Sequence, residues 1–251
     1  MWGFFYVKKV KMKIIITELQ YKNIIRTTIR EYLNEKQILK ENNMNDNFLA
    51  WFGDSKVVDE QGRPMVVYHG TQKGGFEKFK PKIGYKGKSK QQVDLGSHFT
   101  IDKEYASGYA GNKKTSKIYE SFLRIENPLY TNQMFYREDN EGDFLKYLNF
   151  ITKIFRIKLK GDFYYNKNGD KQNEPQNIML NSYLIDTIPS NKLYDGLIDF
   201  EFDGIFHEPY NMVGLHQFKK HPNAYIILYP NQVKSVENDG TWDINDNNIY
   251  S

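Results

Sequence analysis

His69, Gly70 and Thr71 close the run Pro64-Met65-Val66-Val67-Tyr68-His69-Gly70-Thr71. Together they offer an imidazole, a backbone that a ligand can approach closely and a hydroxyl. The bland alternative for His69 is a hydrogen-bonded structural histidine. A second group follows in Gly96-Ser97-His98-Phe99-Thr100 and in Asp102–Ala110, which carries Tyr105 and Tyr109. Those two tyrosines are four positions apart, so a helix capped by Asp102 presents both on one face. His207, His216 and His221 raise the question of zinc, but no acidic or cysteine residue joins them at metal-site spacing. No metal is expected.

These residues need elements to hold them. Met65–Tyr68 is an apolar run that stops at a glycine, which reads as a buried strand with His69 at its carboxyl end. Val57-Val58, the turn Asp59–Gly62 and Pro64–Tyr68 form a hairpin pattern ahead of it. Residues 72–94 are rich in Lys and Gly, with Phe76 and Phe79 as anchors, and read as a long ligand-gripping loop. Phe48–Phe52 is a short aromatic helix or strand, while Ile118–Ile125 and Tyr225–Tyr229 are strand patterns. Residues 131–195 read as an insertion. In it Phe144, Leu148, Ile151, Ile154 and Phe155 make a helical stripe behind Asp143, and Ile178–Ile188 is a second helix stopped by Pro189. The near repeat Tyr194–Ile198 and Phe202–Phe206 is assigned to a helix end and a strand.

The segment 1–46 stands apart. Thr17 and Gln20 have capping-box spacing, and Tyr21, Ile24, Ile25, Ile29 and Tyr32 share a helical face away from Lys22, Arg26 and Arg30. This amphipathic helix either packs on its own domain or docks a partner, and a polar linker, Glu41–Asn47, follows it. With 19 Tyr and 17 Phe the core is built from aromatics. The absence of cysteine excludes disulfides, thiolate metal sites and a cysteine nucleophile. A net charge of +4 tolerates an anionic ligand without announcing nucleic acid. No apolar run approaches the roughly 20 residues of a membrane span, and no secretory leader is recognisable. A soluble cytoplasmic protein is expected.

The motifs taken together carry a resemblance. Val67-Tyr68-His69-Gly70-Thr71, then Gly96-Ser97-His98-Phe99-Thr100 with Tyr109 beyond it, resemble the first two motifs of an ADP-ribosyltransferase. The similarity is to the diphtheria-toxin and poly(ADP-ribose)-polymerase branch, and within it to domains of phage and mobile-element polyvalent proteins. Trp51–Val58, Gly62-Arg63-Pro64, Leu123–Leu129, Phe202–Phe206, Asn231–Ser235 and Gly240–Asp243 add to it in the same order. The resemblance implies an α+β domain over residues 47–251, with two small twisted sheets packed across each other, flanking helices and a cleft for NAD. It implies NAD as substrate and His69 and Tyr109 as catalytic residues, with His69 bonded to a ribose hydroxyl. Tyr68, Gly70, Thr71, His98, Phe99 and Tyr105 are the implied NAD-binding residues. The Gly70 backbone would hold the nicotinamide amide, and Tyr109 and His98 would sandwich its ring, although relatives carry Tyr or Phe at the latter position.

One family residue is missing. The glutamate that precedes the strand Tyr225–Tyr229 in the polymerase-like branch is Ala224 here, preceded by His221-Pro222-Asn223. Alanine cannot accept a ribose hydrogen bond or act as a base. Glu208 and Gln232 are the candidate replacements, with Gln232 favoured as a structural residue. The expected activity is therefore single ADP-ribosyl transfer to a macromolecule, a host protein, without chain elongation. The alternatives are a pseudoenzyme that binds NAD or a protein without transfer, and a structural phage protein.

Overall fold

The structure, a computed structural model, describes residues 45–81, 95–156, 164–165, 171–172, 174–182, 185, 187–207 and 222–251. Asn45–Ser251 form one compact unit. The expected N-terminal helix, residues 82–94 of the expected loop, and Glu208, His216 and His221 lie outside the described residues.

Phe48–Phe52 resolves as helix. Helix α1, Asp46–Phe52, starts where the Asn45 side chain accepts the Phe48 amide, and it buries Phe48, Trp51 and Phe52. Phe48 meets Trp242 edge-on at 4.8 Å and Phe122 at 5.0 Å between ring centroids, so the two ends of the unit share one aromatic cluster.

The main sheet contains β1 (Val67–Thr71), β2 (Ser97–Thr100), β3 (Lys117–Leu123), β4 (Pro128–Tyr130), β9 (Gly204–His207), β10 (Ala224–Ile227) and β11 (Val233–Ser235). Their order is β11-β3-β1-β2-β10-β9-β4, with only β4 and β9 parallel neighbours. The α+β class holds, but the strands form one ladder where two separate sheets were expected. The reason is β2, which hydrogen-bonds on both edges, to β1 and to β10. The junction is narrow. Strand β1 pairs with β3 along its whole length, Val67 to Thr71, but with β2 only where Tyr68 faces Thr100. A seam therefore opens between β1 and β2 beyond Tyr68. The expected hairpin before β1 reduces to a single bridge, Val58 opposite Pro64.

Alternation of side chains along the strands divides the core in two. Ile205 and Ile226 join Leu129, Tyr147, Phe150, Leu193 and Leu197 on one face. Phe99 and Ile227 join Val67, Phe79, Tyr119 and Val233 on the other. The first face is covered by elements of the expected insertion, among them α3 (Glu141–Phe155) and α4 (Ser190–Asp199), whose Tyr147, Phe150, Leu193 and Leu197 join that core. The same stretch also holds β5 (Met134–Tyr136), the two-residue strands β6 (Tyr164–Tyr165) and β7 (Lys171–Gln172), and β8 (Asn177–Met179). Helix α3 is capped by Asn140, which accepts the Asp143 amide, so it begins earlier than the Asp143 start expected. Tyr147 and Phe150 are buried along its inner face beside the expected Phe144, Ile151 and Ile154. Ile178, expected in a helix, lies instead in β8, opposite Phe135 of β5. Tyr194–Ile198 falls inside α4, and the second copy of that repeat runs into β9, as its assignment to helix and strand anticipates.

Candidate active site

Helix α2, Lys103–Ala110, supplies the tyrosines, and Asp102 caps it by accepting the Tyr105 amide at 2.8 Å. The four-residue spacing puts the Tyr105 and Tyr109 hydroxyls 3.1 Å apart, with the rings edge to face at 5.4 Å. Burial, then the hydrogen bond to Tyr109, pushes the Tyr105 phenol up to about 12. Tyr109 itself is 58% exposed.

Gly70 is where α2 meets β1. A Cβ at that position would lie 1.7 Å from the Ala106 carbonyl oxygen and 3.0 Å from the Ala110 nitrogen. The expectation was a glycine that lets a ligand approach. The structure adds a stronger requirement: the helix backbone occupies the space a side chain would need. Through this contact the tyrosine-bearing helix is seated against the histidine-bearing strand.

His69 lies in the middle of β1, not at its carboxyl end as expected, because pairing with β3 continues to Thr71. Its Nδ1 lies 2.8 Å from the His98 carbonyl oxygen across the seam. A carbonyl only accepts, so Nδ1 carries the proton and Nε2 carries the lone pair of the neutral ring. Burial lowers the His69 pKa below its usual range and outweighs the hydrogen bond to His98, which favours the neutral ring. Phe79 packs edge-on against the imidazole at 5.1 Å and Phe99 tilts over it at 5.4 Å. The ring is thus fixed from three sides, by a hydrogen bond and two aromatics. Phe79, read from sequence as a loop anchor, is a wall of this site.

The other expected residues divide. Phe99 is 1% exposed and belongs to the core behind His69, so its expected place against a ligand is corrected to a packing role. Its neighbour His98 alternates to the opposite face, is exposed, and donates from Nε2 to the Leu95 carbonyl at 3.1 Å. Tyr68 is half-buried under the Lys103 ammonium, 5.6 Å from the ring centre, and Lys103 also pairs with Glu120. Thr71 ends β1 opposite Lys117, where its hydroxyl accepts the Lys73 amide at 3.3 Å. It turns the chain into the following loop. The structure therefore joins His69, His98 and Phe99, and separately Tyr105 and Tyr109, with Gly70 as the link between the two groups.

Ala224 begins β10, between Thr100 of β2 and His207 of β9. Gln232, one candidate replacement for the absent glutamate, is fully engaged elsewhere. Its Oε1 accepts the Leu228 and Tyr229 amides at 2.9 and 2.8 Å, and its Nε2 donates to the Arg124 and Asp203 carbonyls at 3.0 and 2.8 Å. Glutamine at that position is structural. Asp203 likewise accepts the Glu126 and Asn127 amides, both at 2.8 Å, which ties two of the sequence motifs together. Among the described residues no group of three or more His, Cys, Asp or Glu is arranged to hold a metal ion. None of their helices is long and apolar enough to cross a membrane.

A family model described as ADP-ribosyltransferase in polyvalent proteins matches residues 59–242, and the chain belongs to that family. The match contains His69, Gly70, His98, Tyr109, Ala224 and Gln232. Neither a curated protein nor a solved structure matches the chain significantly.

Proposed function

We propose that the chain transfers a single ADP-ribosyl group from NAD to a macromolecular acceptor, a protein of the host cell in which a phage or mobile element expresses it, and that it acts in the cytoplasm. The observation that carries this reading is the His69 imidazole, held across the β1–β2 seam by its own Nδ1–H so that Nε2 is left to accept a ribose hydroxyl. On α2, which packs against β1 at Gly70, the Tyr105–Tyr109 pair offers an exposed aromatic surface for the nicotinamide ring. Cleavage of the nicotinamide–ribose bond develops positive charge on the sugar, so positioning of NAD and of the incoming nucleophile is the main catalytic resource here. Alanine at 224 supplies no group to activate a ribose hydroxyl of a growing chain, which favours single transfer over elongation.

The same alanine favours a second reading, a pseudoenzyme that binds NAD without cleaving it. One experiment separates the two. The purified chain is incubated with NAD and a host lysate, free nicotinamide is quantified, and modified peptides are mapped by mass spectrometry. Transfer predicts nicotinamide release with single ADP-ribose adducts. His69→Ala should lower that release on the order of 100-fold or more, with a stability loss of only about 1–2 kcal/mol for the hydrogen bond. NAD binding by calorimetry without nicotinamide release would establish the pseudoenzyme. Polymer chains, or full activity in the His69 variant, would overturn the mechanism.

A further inference from the structure

The place vacated by the missing glutamate is not empty of chemistry. Ala224 faces His207 directly across the β10–β9 ladder and faces Thr100 across β10–β2. Directly opposite residues project from the same face of a sheet, with Cβ atoms about 4.5–5.5 Å apart. Alanine adds only a methyl group there, so of its two direct cross-strand neighbours, Thr100 and His207, the imidazole is the one basic side chain. His207 and Ala224 also line one recess, about 220 Å³, together with Tyr130, Thr131, Asn223 and Tyr225. That volume suits a sugar edge or an incoming side chain rather than a whole dinucleotide.

Two further observations concern the ring itself. Among the described residues the His207 Nδ1 is buried and has no hydrogen-bond partner. A buried polar atom without a partner is uncommon and calls for an explanation, of which a ligand-binding role is one. Burial, and then electrostatic repulsion from His98, lower the His207 pKa to about 4. The ring is therefore neutral near pH 7, and it feels the seam-side histidine although β10 lies between them.

We propose that His207 supplies the acceptor-side base of this site, its imidazole receiving the proton of the incoming nucleophile in place of a carboxylate at position 224. The inference rests on the transferase reading above. In the step, the C1′–N bond of NAD breaks and nicotinamide leaves as a neutral molecule with the bonding electron pair. The nucleophile forms the new bond to C1′, and its proton passes to the His207 imidazole and then to water. NAD⁺ and the protonated nucleophile thus become the ADP-ribosyl adduct, nicotinamide and one proton. A neutral imidazole accepts a proton but adds no negative charge beside the sugar, so it serves the nucleophile more than the developing cation.

The test uses the full chain with NAD, following nicotinamide release and adduct formation. His207→Ala should lower kcat on the order of 100-fold, as loss of a general base does, with the KM for NAD changed no more than about threefold. His207→Gln, which keeps a hydrogen-bond acceptor but cannot take the proton, should stay well below wild type. Ala224→Glu placed in the His207→Ala background should restore release, because the carboxylate returns to the same recess. In wild type the His207 imidazole NMR signal, assigned by its loss in His207→Gln, should shift on addition of NAD. If His207→Ala does not fold, His207→Gln and the NMR shift decide the matter. Wild-type turnover with an unchanged kcat in the His207 variants would overturn this inference and leave the transferase reading standing. A wild-type chain that releases no nicotinamide would overturn both.

Discussion

At the scale of single residues, two histidines are held neutral by the fold. Burial lowers the pKa of both His69 and His207 below the ordinary 6.5, to about 4 for His207. Below pH 6.5 the unfolded chain takes up protons that these folded imidazoles refuse, so the unfolded state gains relative to the folded one. Their contribution is complete above that pH and is lost as pH falls toward the folded values. His207 alone accounts for roughly 3 kcal/mol at most over that window. Urea denaturation at several pH values between 7 and 4 should show stability falling with pH, and His207→Gln should flatten that slope. An unchanged slope in the variant would place the His207 ring in solvent, contrary to its buried Nδ1.

At the scale of elements, the site depends on how closely α2 lies on β1. Gly70 allows that approach because the Ala106 carbonyl occupies the position of its missing Cβ, 1.7 Å from where it would be. Gly70→Ala must push the helix off the strand, and overpacking of this kind costs on the order of 1–3 kcal/mol. The displaced helix carries Tyr105 and Tyr109 with it, so NAD affinity should weaken more than the stability loss alone explains. Calorimetric titration on the folded variant checks this. Gln232 serves a different purpose at the same scale. By bonding to four backbone groups it locks the turn after β10 to the Arg124 and Asp203 segments, which holds the start of β11 beside β3.

At the scale of the whole unit, the N-terminal and C-terminal ends are closed by one aromatic cluster. Trp51 and Trp242 are almost fully buried, with ring centroids 5.8 Å apart, and the Trp51 indole donates to the Asn231 carbonyl at 3.1 Å. Lys234, fully buried, donates to the Asp246 and Asn248 carbonyls at 3.1 and 2.8 Å and fastens the final segment across the same region. Trp242→Ala should cost about 3–5 kcal/mol, read as a lower urea midpoint. This cluster contains none of the residues that position His69, so turnover per folded molecule should stay near wild type. A selective loss of turnover in the folded variant would show that the cluster supports the site directly.

Local pattern alone determined much of this protein. The Tyr105–Tyr109 pair follows from a spacing of one helical turn behind a capping aspartate, and helix α3 from its apolar periodicity. Neither needs a distant partner, which is why both are legible in sequence. The ordered motifs likewise specify the family without the fold, since the matched residues 59–242 contain nearly all of them. Tertiary structure decided what depends on strand register. The His69 bond to the His98 carbonyl exists because β1 and β2 part beyond Tyr68 and Thr100, a seam that no local pattern encodes. Gly70 faces a helix because α2 crosses that strand, and His207 stands opposite Ala224 because β9 and β10 align at that register. Such pairings join residues remote along the chain, and shifting a strand by one position would turn every one of these side chains to the other face.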